Sequence, residues 1–349
     1  MKKRMKGVLG TRGTPREAAP GRERWPLAEP FAIGGLQVPN RVVQAPLAGI
    51  ANWAFRRQSR RHGAGLVVSE MVASHGVRHG NARTMGMLTV LDDEHPVGVQ
   101  LFGADPEVMA EAARAVEAAG ADLVDVNMGC PVPKVCRTGA GAALLGEPER
   151  AEAVVRAMVD AVRIPVTVKM RRGLTPATSR PAEMARRMEA AGAAAVCIHP
   201  RAAAEEYAGV ADHAVTAEVA AAVGVPVIAS GDVTGPASAL AVVERTGCAA
   251  VAVGRGALGD PWAFRAIATG QAAAPPDLAE VVAEVRAFAA DVVAVMGEDR
   301  ACHYMRRFHA WYLAGRDLPP GRIEALQTAP TLAEALALLD ELAAAPAAA

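Results

Sequence analysis

Asn127-Met128-Gly129-Cys130-Pro131 closes an apolar run, Ala121 to Val126, that is typical of a buried strand. The motif continues through Lys134 and Arg137 to Gly139-Ala140-Gly141-Ala142-Ala143-Leu144-Leu145. An amide, a thiol and a tight turn therefore coincide where one strand ends. This coincidence indicates a cysteine presented at the mouth of a site.

Seven further short apolar runs surround this strand in the sequence, and helical segments separate them. The runs are nearly continuous rather than alternating, which is typical of parallel strands covered on both faces. Eight such units predict a (β/α)8 TIM barrel, with a doubly wound open sheet as the structural alternative. The predicted strands are Arg41–Ala45, Gly65–Glu70, Val97–Leu101, Ala121–Val126, Pro165–Lys169, Ala194–His199, Pro226–Ala229 and Ala249–Val253.

The segments on either side of the barrel differ from it in composition. Residues 1–25 are rich in Gly, Pro and Arg and predict a disordered basic tail. Residues 26–272 form the predicted barrel. After Pro275 the strand pattern stops, and residues 273–349 predict a small all-α domain with helices at Leu278–Val295, His303–Ala314 and Thr331–Ala345.

Composition excludes several classes of protein. The chain has 349 residues, 52% of them hydrophobic, and a formal net charge of zero, so no global field points to nucleic acid or membrane. No apolar run is long enough to span a bilayer, and no secretory signal is visible. Five cysteines without framework spacing indicate reduced thiols and a cytoplasmic location. Cys130 and Cys136 lack a common zinc spacing, so no metal site is predicted.

The ends of the predicted strands carry groups suited to a flavin. Loops after strands 7 and 8 are glycine-containing and resemble a phosphate site. The other ends offer an amide, an ammonium and an imidazole, which suit the polar edge of a flavin, so FMN fits the set. Gln100 as a satisfied core amide and His199 as a structural histidine are the alternatives. The residues are Gln100, Lys169, His199, Ser230-Gly231-Asp232 and Gly254-Arg255-Gly256.

Beside a flavin, Cys130 would act as an acid. Hydride addition to one end of a C=C bond leaves negative charge at the other end, and a thiol is mostly protonated at neutral pH. Asn127 would orient the substrate from the same turn. The alternative interpretations of Cys130 are a thiolate nucleophile and a buried structural cysteine.

Several motifs together resemble the bacterial tRNA-dihydrouridine synthases, and Met305-Arg306-Arg307 with Trp311-Tyr312 is most similar to the B-type branch. The resemblance runs from about Phe31 to Ala345. The motifs are Ala45-Pro46-Leu47-Ala48-Gly49, Val99-Gln100-Leu101-Phe102-Gly103, Asn127-Met128-Gly129-Cys130-Pro131, Val168-Lys169-Met170-Arg171 and Gly254-Arg255-Gly256-Ala257-Leu258-Gly259-Asp260-Pro261-Trp262. Ser230 stands where the family usually has Asn, and Pro200 stands where Gly is common.

This resemblance implies a flavin enzyme that acts on tRNA. NADPH (or NADH) would reduce FMN, hydride would pass to C6 of uridine, and Cys130 would protonate C5. Asn127 and Arg171 would bind the substrate. The positions implied to bind FMN are Pro46, Leu47, Ala48, Gln100, Lys169, His199, Ser230, Gly231, Asp232, Gly254 and Arg255.

The C-terminal helices interleave cations with aromatic residues, which suits a surface for phosphates and bases. Arg306 and Arg307 are the predicted tRNA contacts, and an ordinary solvated helix face is the alternative. Neither a membrane nor an obligate protein partner is predicted. Two rival functions stay open: an FMN barrel of the dihydroorotate or dihydropyrimidine dehydrogenase type on a free small molecule, and a tRNA-binding or folding factor with secondary catalysis.

Overall fold

The computed structural model describes residues 25–272 and 274–344. Most of the predicted basic tail, residues 1–24, lies outside this described part. Trp25 is described, and its indole N–H donates to the carbonyl of Ile267 at 2.7 Å. The described chain divides into two compact units, one of residues 25–257 and 261–272 and one of residues 258–260 and 274–344.

The first unit is built on eight parallel strands. They are β1 (Val42–Gln44), β2 (Leu66–Val68), β3 (Val97–Phe102), β4 (Leu123–Met128), β5 (Val166–Arg171), β6 (Ala195–His199), β7 (Val227–Ser230) and β8 (Ala250–Val253). A two-residue strand, Val72–Ala73, also pairs with β3. Each of the eight predicted strands is confirmed, with ends shifted by at most two residues.

The sheet closes on itself. Val251 of β8 pairs with Val42 of β1, and Val67 of β2 pairs with Val97 of β3, so the order runs unbroken around a ring. Consecutive parallel strands joined by helices and closed in this way form the predicted TIM barrel. An open doubly wound sheet is excluded because each of the eight strands has a neighbour on both sides, so none of them is an edge strand.

Successive side chains of each strand point alternately toward the helices and toward the barrel interior, so the core has two parts. Residues that face the helices form the larger cluster, which includes Val124, Val126 and Met128 of β4. Inside the barrel, Leu123 packs with Leu66 and Ile228 in an apolar layer. An antiparallel hairpin of Phe31–Ile33 and Leu36–Val38 adds Ile33 and Val38 to this layer. The polar residues of β4 that follow Leu123 with the same period, Asp125 and Asn127, lie above it toward the strand ends.

Helices cover the outside of the barrel, and proline often marks their first turn. Pro106, Pro148, Pro181 and Pro236 each stand at the start of one of them. The helices of this unit are α1 (Trp53–Arg61), α2 (Ser74–Arg78), α3 (Ala82–Gly86), α4 (Pro106–Ala118), α5 (Pro133–Cys136), α6 (Pro148–Ala161), α7 (Pro181–Ala190), α8 (His213–Ala222), α9 (Pro236–Thr246) and α10 (Ala263–Thr269).

The second unit is helical. Its elements are α11 (Leu278–Met296), α12 (Glu298–Tyr312), α13 (Arg322–Thr328) and α14 (Leu332–Ala344). Helix α12 begins five residues earlier than predicted, and α13 was not predicted because it is short and follows Pro319-Pro320-Gly321. Phe308 lies at the centre of the packing, with its ring 4.8 Å from that of Phe288 and 4.9 Å from that of Trp311. Among the described residues, no helix is both long and apolar enough to cross a membrane.

Candidate active site

A chain of polar side chains lies inside the barrel across β3, β4 and β5. The Gln100 amide nitrogen donates to one carboxylate oxygen of Asp125 at 2.7 Å, and the Thr167 hydroxyl donates to the other at 2.6 Å. The Asn127 amide nitrogen in turn donates to the Gln100 carbonyl oxygen at 2.7 Å. Strand register explains these contacts, since Gln100 pairs with Asp125 and Asp125 pairs with Thr167.

The same chain reaches the cysteine turn. The side-chain carbonyl oxygen of Asn127 accepts the backbone N–H of Cys130 at 2.9 Å and that of Gly129 at 3.2 Å. Asn127 therefore shapes the loop that carries the thiol, as an Asx turn does. Its predicted contact with substrate stays a prediction, since both ends of its amide already have partners within the protein.

Cys130 is half-buried at this turn. Burial raises the pKa of its thiol above the ordinary value, while the positive charges of Arg171 and Lys169 act in the opposite direction. The thiol is thus protonated at neutral pH, and cations nearby would stabilise the thiolate that forms when it loses a proton. A cavity of about 520 Å³ flanks the turn, lined by Pro131, Leu174 and Glu206 among others.

Burial also sets the charge state of Asp125 and His199. Burial raises the pKa of Asp125 to about 6, although its hydrogen bonds to Gln100 and Thr167 and the charge of Lys169 oppose the shift. For His199, burial and the positive charges of Lys169 and three arginines lower the pKa to about 2. Arg201 approaches the Nε2 of His199 at 3.2 Å. Because a guanidinium can only donate, Nε2 accepts and the neutral imidazole carries its proton on Nδ1.

The loops after β7 and β8 meet closely. A Cβ on Gly256 would lie 2.6 Å from the carbonyl oxygen of Val233, so only glycine allows this approach of the two backbones. Gly231 has φ +116°, and a Cβ there would lie 2.9 Å from the His199 ring. The Arg255 guanidinium lies 4.6 Å from the centre of the exposed Tyr207 ring and 3.5 Å from the Asp232 carboxylate.

Asp232 is held mainly by another arginine. Arg201 is almost fully buried and contacts both carboxylate oxygens, at 3.1 and 2.7 Å, while the backbone N–H of Ala211 donates to the same carboxylate at 2.7 Å. These contacts lower the pKa of Asp232 despite the opposing effect of its burial. Asp232 therefore orders the loop after β7, and Arg255 is the more exposed of its two cations.

The turn after β1 is fixed from two sides. The carbonyl of Leu47 accepts the backbone N–H groups of Ile50 and Ala51 at 3.0 and 2.9 Å. The Glu70 carboxylate, at the end of β2, accepts the N–H of Gly49 at 2.7 Å. Pro46, Leu47 and Ala48 are thus held as one rigid turn at the same rim of the barrel as Cys130 and Gln100.

Arg171 is buried, with 3% of its surface exposed. Its guanidinium donates to the carbonyls of Gly129 at 3.0 Å, Ala202 at 3.0 Å and Glu206 at 2.7 Å. It therefore ties the cysteine turn to the loop after β6. The substrate contact predicted for Arg171 stays a prediction, and the observed geometry is that of a positioning residue.

Arg306 and Arg307 lie in the helical unit, on α12. One guanidinium nitrogen of Arg306 donates to the carbonyl of Ala329 at 3.1 Å, so this side chain joins α12 to the residues before α14. Arg307 is exposed and lies 4.5 Å from the centre of the Tyr304 ring. Of the two predicted tRNA contacts, Arg307 is the more available to a phosphate.

Three residues at the barrel site were not among the predicted site residues. Asp125 and Thr167 complete the polar chain, and Arg201 orders the loop that bears Asp232. A signal existed for Asp125, because an acidic residue within an otherwise apolar strand is rarely buried without a partner. The partner itself could not be read from sequence, since it depends on the register between β3, β4 and β5.

Comparison with known proteins places the chain in a family. The model of the family described as "Dihydrouridine synthase (Dus)" matches residues 43–345. The chain is 39% identical to tRNA-dihydrouridine synthase B of Pseudomonas aeruginosa, over 81% of this chain and 86% of that protein. It is also 39% identical to a probable tRNA-dihydrouridine synthase of Mycobacterium tuberculosis, over 89% and 84% respectively.

Solved structures share the fold at low identity. A mutant of morphinone reductase in complex with tetrahydroNAD aligns with a TM-score of 0.54 and 16% identity, over 73% of this chain and 93% of that one. Histamine dehydrogenase from Rhizobium sp. 4-9 aligns with a TM-score of 0.55 and 16% identity, over 68% and 47%. The family resemblance predicted from the motifs is confirmed: the chain belongs to the dihydrouridine synthase family.

Proposed function

We propose that this protein reduces the C5=C6 bond of uridine in tRNA to give 5,6-dihydrouridine, with FMN as its cofactor and NADPH or NADH as reductant. The observation that carries the proposal is that Asn127 links the turn of Cys130, whose thiol is protonated, to the amide of Gln100, while the charge of Lys169 acts on the same thiol. In a chain of this family, that set suits an acid facing a flavin.

The residues present fit FMN on geometric grounds. Gly256 and Gly231 leave open backbone where a Cβ would intrude, and Arg255 supplies a half-exposed cation for a phosphate. Gln100 has a second amide N–H beyond the one given to Asp125, which suits the polar edge of the ring system. Pro46, Leu47 and Ala48 would hold the ring from the turn after β1. Bound FMN would supply the hydride that adds to C6.

Cys130 would supply the proton. When C6 gains hydride, negative charge develops at C5, and transfer of the thiol proton forms the C5–H bond while leaving a thiolate. Lys169 and Arg171 would stabilise that thiolate, because both lower the pKa of Cys130. Water then restores the thiol. His199 is neutral in this setting, so it would donate or accept hydrogen bonds without adding charge.

Recognition of tRNA is assigned to both units as part of the proposal. A uridine within folded tRNA must leave its stack to reach a barrel site. Exposed cations of α12, above all Arg307, would bind phosphates. The names of the relatives support tRNA as the substrate.

The direct test is turnover on unmodified tRNA with FMN and NADPH, read as dihydrouridine by mass spectrometry and as loss of NADPH absorbance. Cys130→Ala should keep bound FMN and its reduction by NADPH but lose about 10²-fold or more in dihydrouridine formation, the usual range for a lost general acid. Cys136→Ser is the matched control, because its hydroxyl can replace the thiol that donates to the Cys130 carbonyl at 3.3 Å.

Two results would reject the proposal. Turnover of free orotate or uracil with none on tRNA would favour the small-molecule dehydrogenase. Tight tRNA binding by a flavin-free protein without turnover would favour the folding factor. Equal activity of Cys130→Ala and wild type would reject the acid role alone.

A further inference from the structure

Asp125 is the one acidic side chain of β4 that lies within the barrel, and the proposed reaction does not use it directly. Only 4% of its surface is exposed. A buried carboxylate costs free energy unless its hydrogen bonds are satisfied, so its presence above an apolar layer needs a reason.

The hydrogen bonds from the cysteine turn to Asp125 run in one direction. The backbone N–H groups of Cys130 and Gly129 can only donate, so they fix the carbonyl oxygen of the Asn127 amide toward the turn. The Asn127 nitrogen then points to Gln100 and requires its oxygen. The Gln100 nitrogen must consequently point to residue 125 and find an acceptor there.

A carboxylate meets this requirement at both of its oxygens. One accepts from Gln100 and the other from the Thr167 hydroxyl, so Asp125 ends the chain as a pure acceptor. A donor at this position would face the donating nitrogen of Gln100. Rotating the Gln100 amide would then place its nitrogen against that of Asn127, and rotating Asn127 would place its nitrogen against the N–H groups of the turn.

We propose that Asp125 is a positioning residue that locks the amide of Gln100, so that this side chain presents its remaining N–H, and not its carbonyl oxygen, to the flavin. The same lock fixes Asn127 and the Cys130 turn. This inference rests on the proposed function, since it assigns Gln100 to the flavin. It makes Asp125 part of the site although Asp125 touches neither cofactor nor substrate.

The test is a double-mutant cycle on FMN affinity, measured by flavin fluorescence with the full-length protein. Asp125→Leu leaves the Gln100 nitrogen without an acceptor and should raise the FMN dissociation constant about tenfold, within the range of coupling found in one hydrogen-bond network. In a Gln100→Ala background the same change should have less than about a twofold effect, because the residue through which Asp125 acts is gone.

A conservative variant separates positioning from mere packing. In Asp125→Asn, the amide oxygen can accept from Gln100 while the amide nitrogen donates to the Thr167 hydroxyl, so FMN affinity should stay within about threefold of wild type. Asp122→Asn is the matched control, since Asp122 lies at the other end of β4 and accepts the backbone N–H of Val97. It should leave FMN affinity unchanged.

The outcomes distinguish the two proposals. If the wild-type protein binds no FMN, the proposed function fails. If wild type binds FMN and modifies tRNA, three results would each overturn the role of Asp125: wild-type affinity in Asp125→Leu, an equal loss with and without Gln100, or a tenfold loss in Asp125→Asn. Should Asp125→Leu not fold, Asp125→Ala takes its place in the cycle, with the same expected and contrary results.

Discussion

Replacing Asp125 by asparagine should stabilise the barrel at neutral pH but not at acidic pH. Burial raises the pKa of this carboxyl from 3.8 to about 6 in the folded protein. Between these values the folded state binds the proton more tightly than the unfolded state does. The free energy of unfolding of the wild type therefore falls as pH rises through this window and levels off above about pH 6.

The size of the effect follows from the shift. A difference of roughly two pKa units lowers the free energy of unfolding of the wild type by about 3 kcal/mol once the pH exceeds the pKa of Asp125 in the folded protein. About 1 kcal/mol of this is already lost at pH 4.5, so the advantage of Asp125→Asn should grow by about 2 kcal/mol between pH 4.5 and pH 8.

Equilibrium urea unfolding at the two pH values measures the difference. Trp311 is in the helical unit, so a Trp311→Phe background leaves indole fluorescence to Trp25, Trp53 and Trp262 of the barrel unit. Asp125→Leu serves as the control, because it also lacks the carboxyl that titrates. Its free energy of unfolding should differ from that of Asp125→Asn by an amount that does not change with pH. A difference from wild type that is flat between pH 4.5 and pH 8 would refute the reasoning.

Three further predictions concern the cofactor and the RNA. Lys169→Ala should weaken FMN binding and slow flavin reduction by NADPH; a variant that retains as much flavin and reduces as fast as wild type would remove Lys169 from the site. Gly256→Ala should lower FMN affinity and the melting temperature together, because its Cβ would lie 2.6 Å from the Val233 carbonyl oxygen; unchanged values would mean that the two loops can separate freely. Arg307→Glu should weaken tRNA binding and reduce the slope of log K against log salt by about 1, whereas Arg300→Glu, also on α12, tests whether any charge on this helix has the same effect.

Much of the barrel could be predicted from sequence because its signals are local. Continuous apolar runs mark parallel strands, and a proline is the first residue of α4, α6 and α7. Helix α13 was missed because its signal is weak: seven residues after a glycine at φ +74° give little periodicity. Its place depends on packing against α12 and α14 within the helical unit.

The site was predictable as a set of strand ends but not as a network. Cys130, Gln100 and Lys169 could be proposed from sequence because each stands at or near the end of a barrel strand, and their roles stay predictions. Arg171 illustrates the limit, since a cation two residues beyond Lys169 looks available in sequence yet is buried against three carbonyls. Hydrogen-bond partners depend on inter-strand register, which one sequence does not specify.

The polar chain shows where stability and function oppose each other in this barrel. Leu123 and its apolar neighbours already fill the interior below, so the fold itself does not require a carboxylate at residue 125. Above pH 6 the buried charge of Asp125 lowers the free energy of unfolding of the wild type by about 3 kcal/mol. An amide at this position would avoid that loss. What only an obligate acceptor provides is a single orientation for Gln100 and Asn127, and hence for the turn that holds Cys130. Asn at 125 should accept from Gln100 in most molecules, but it can also turn its nitrogen toward Gln100 at the cost of one hydrogen bond. The carboxylate excludes that state. Its cost in stability would therefore be offset by a larger fraction of molecules in which the Cys130 thiol and the Gln100 N–H proposed to face the flavin are both correctly placed.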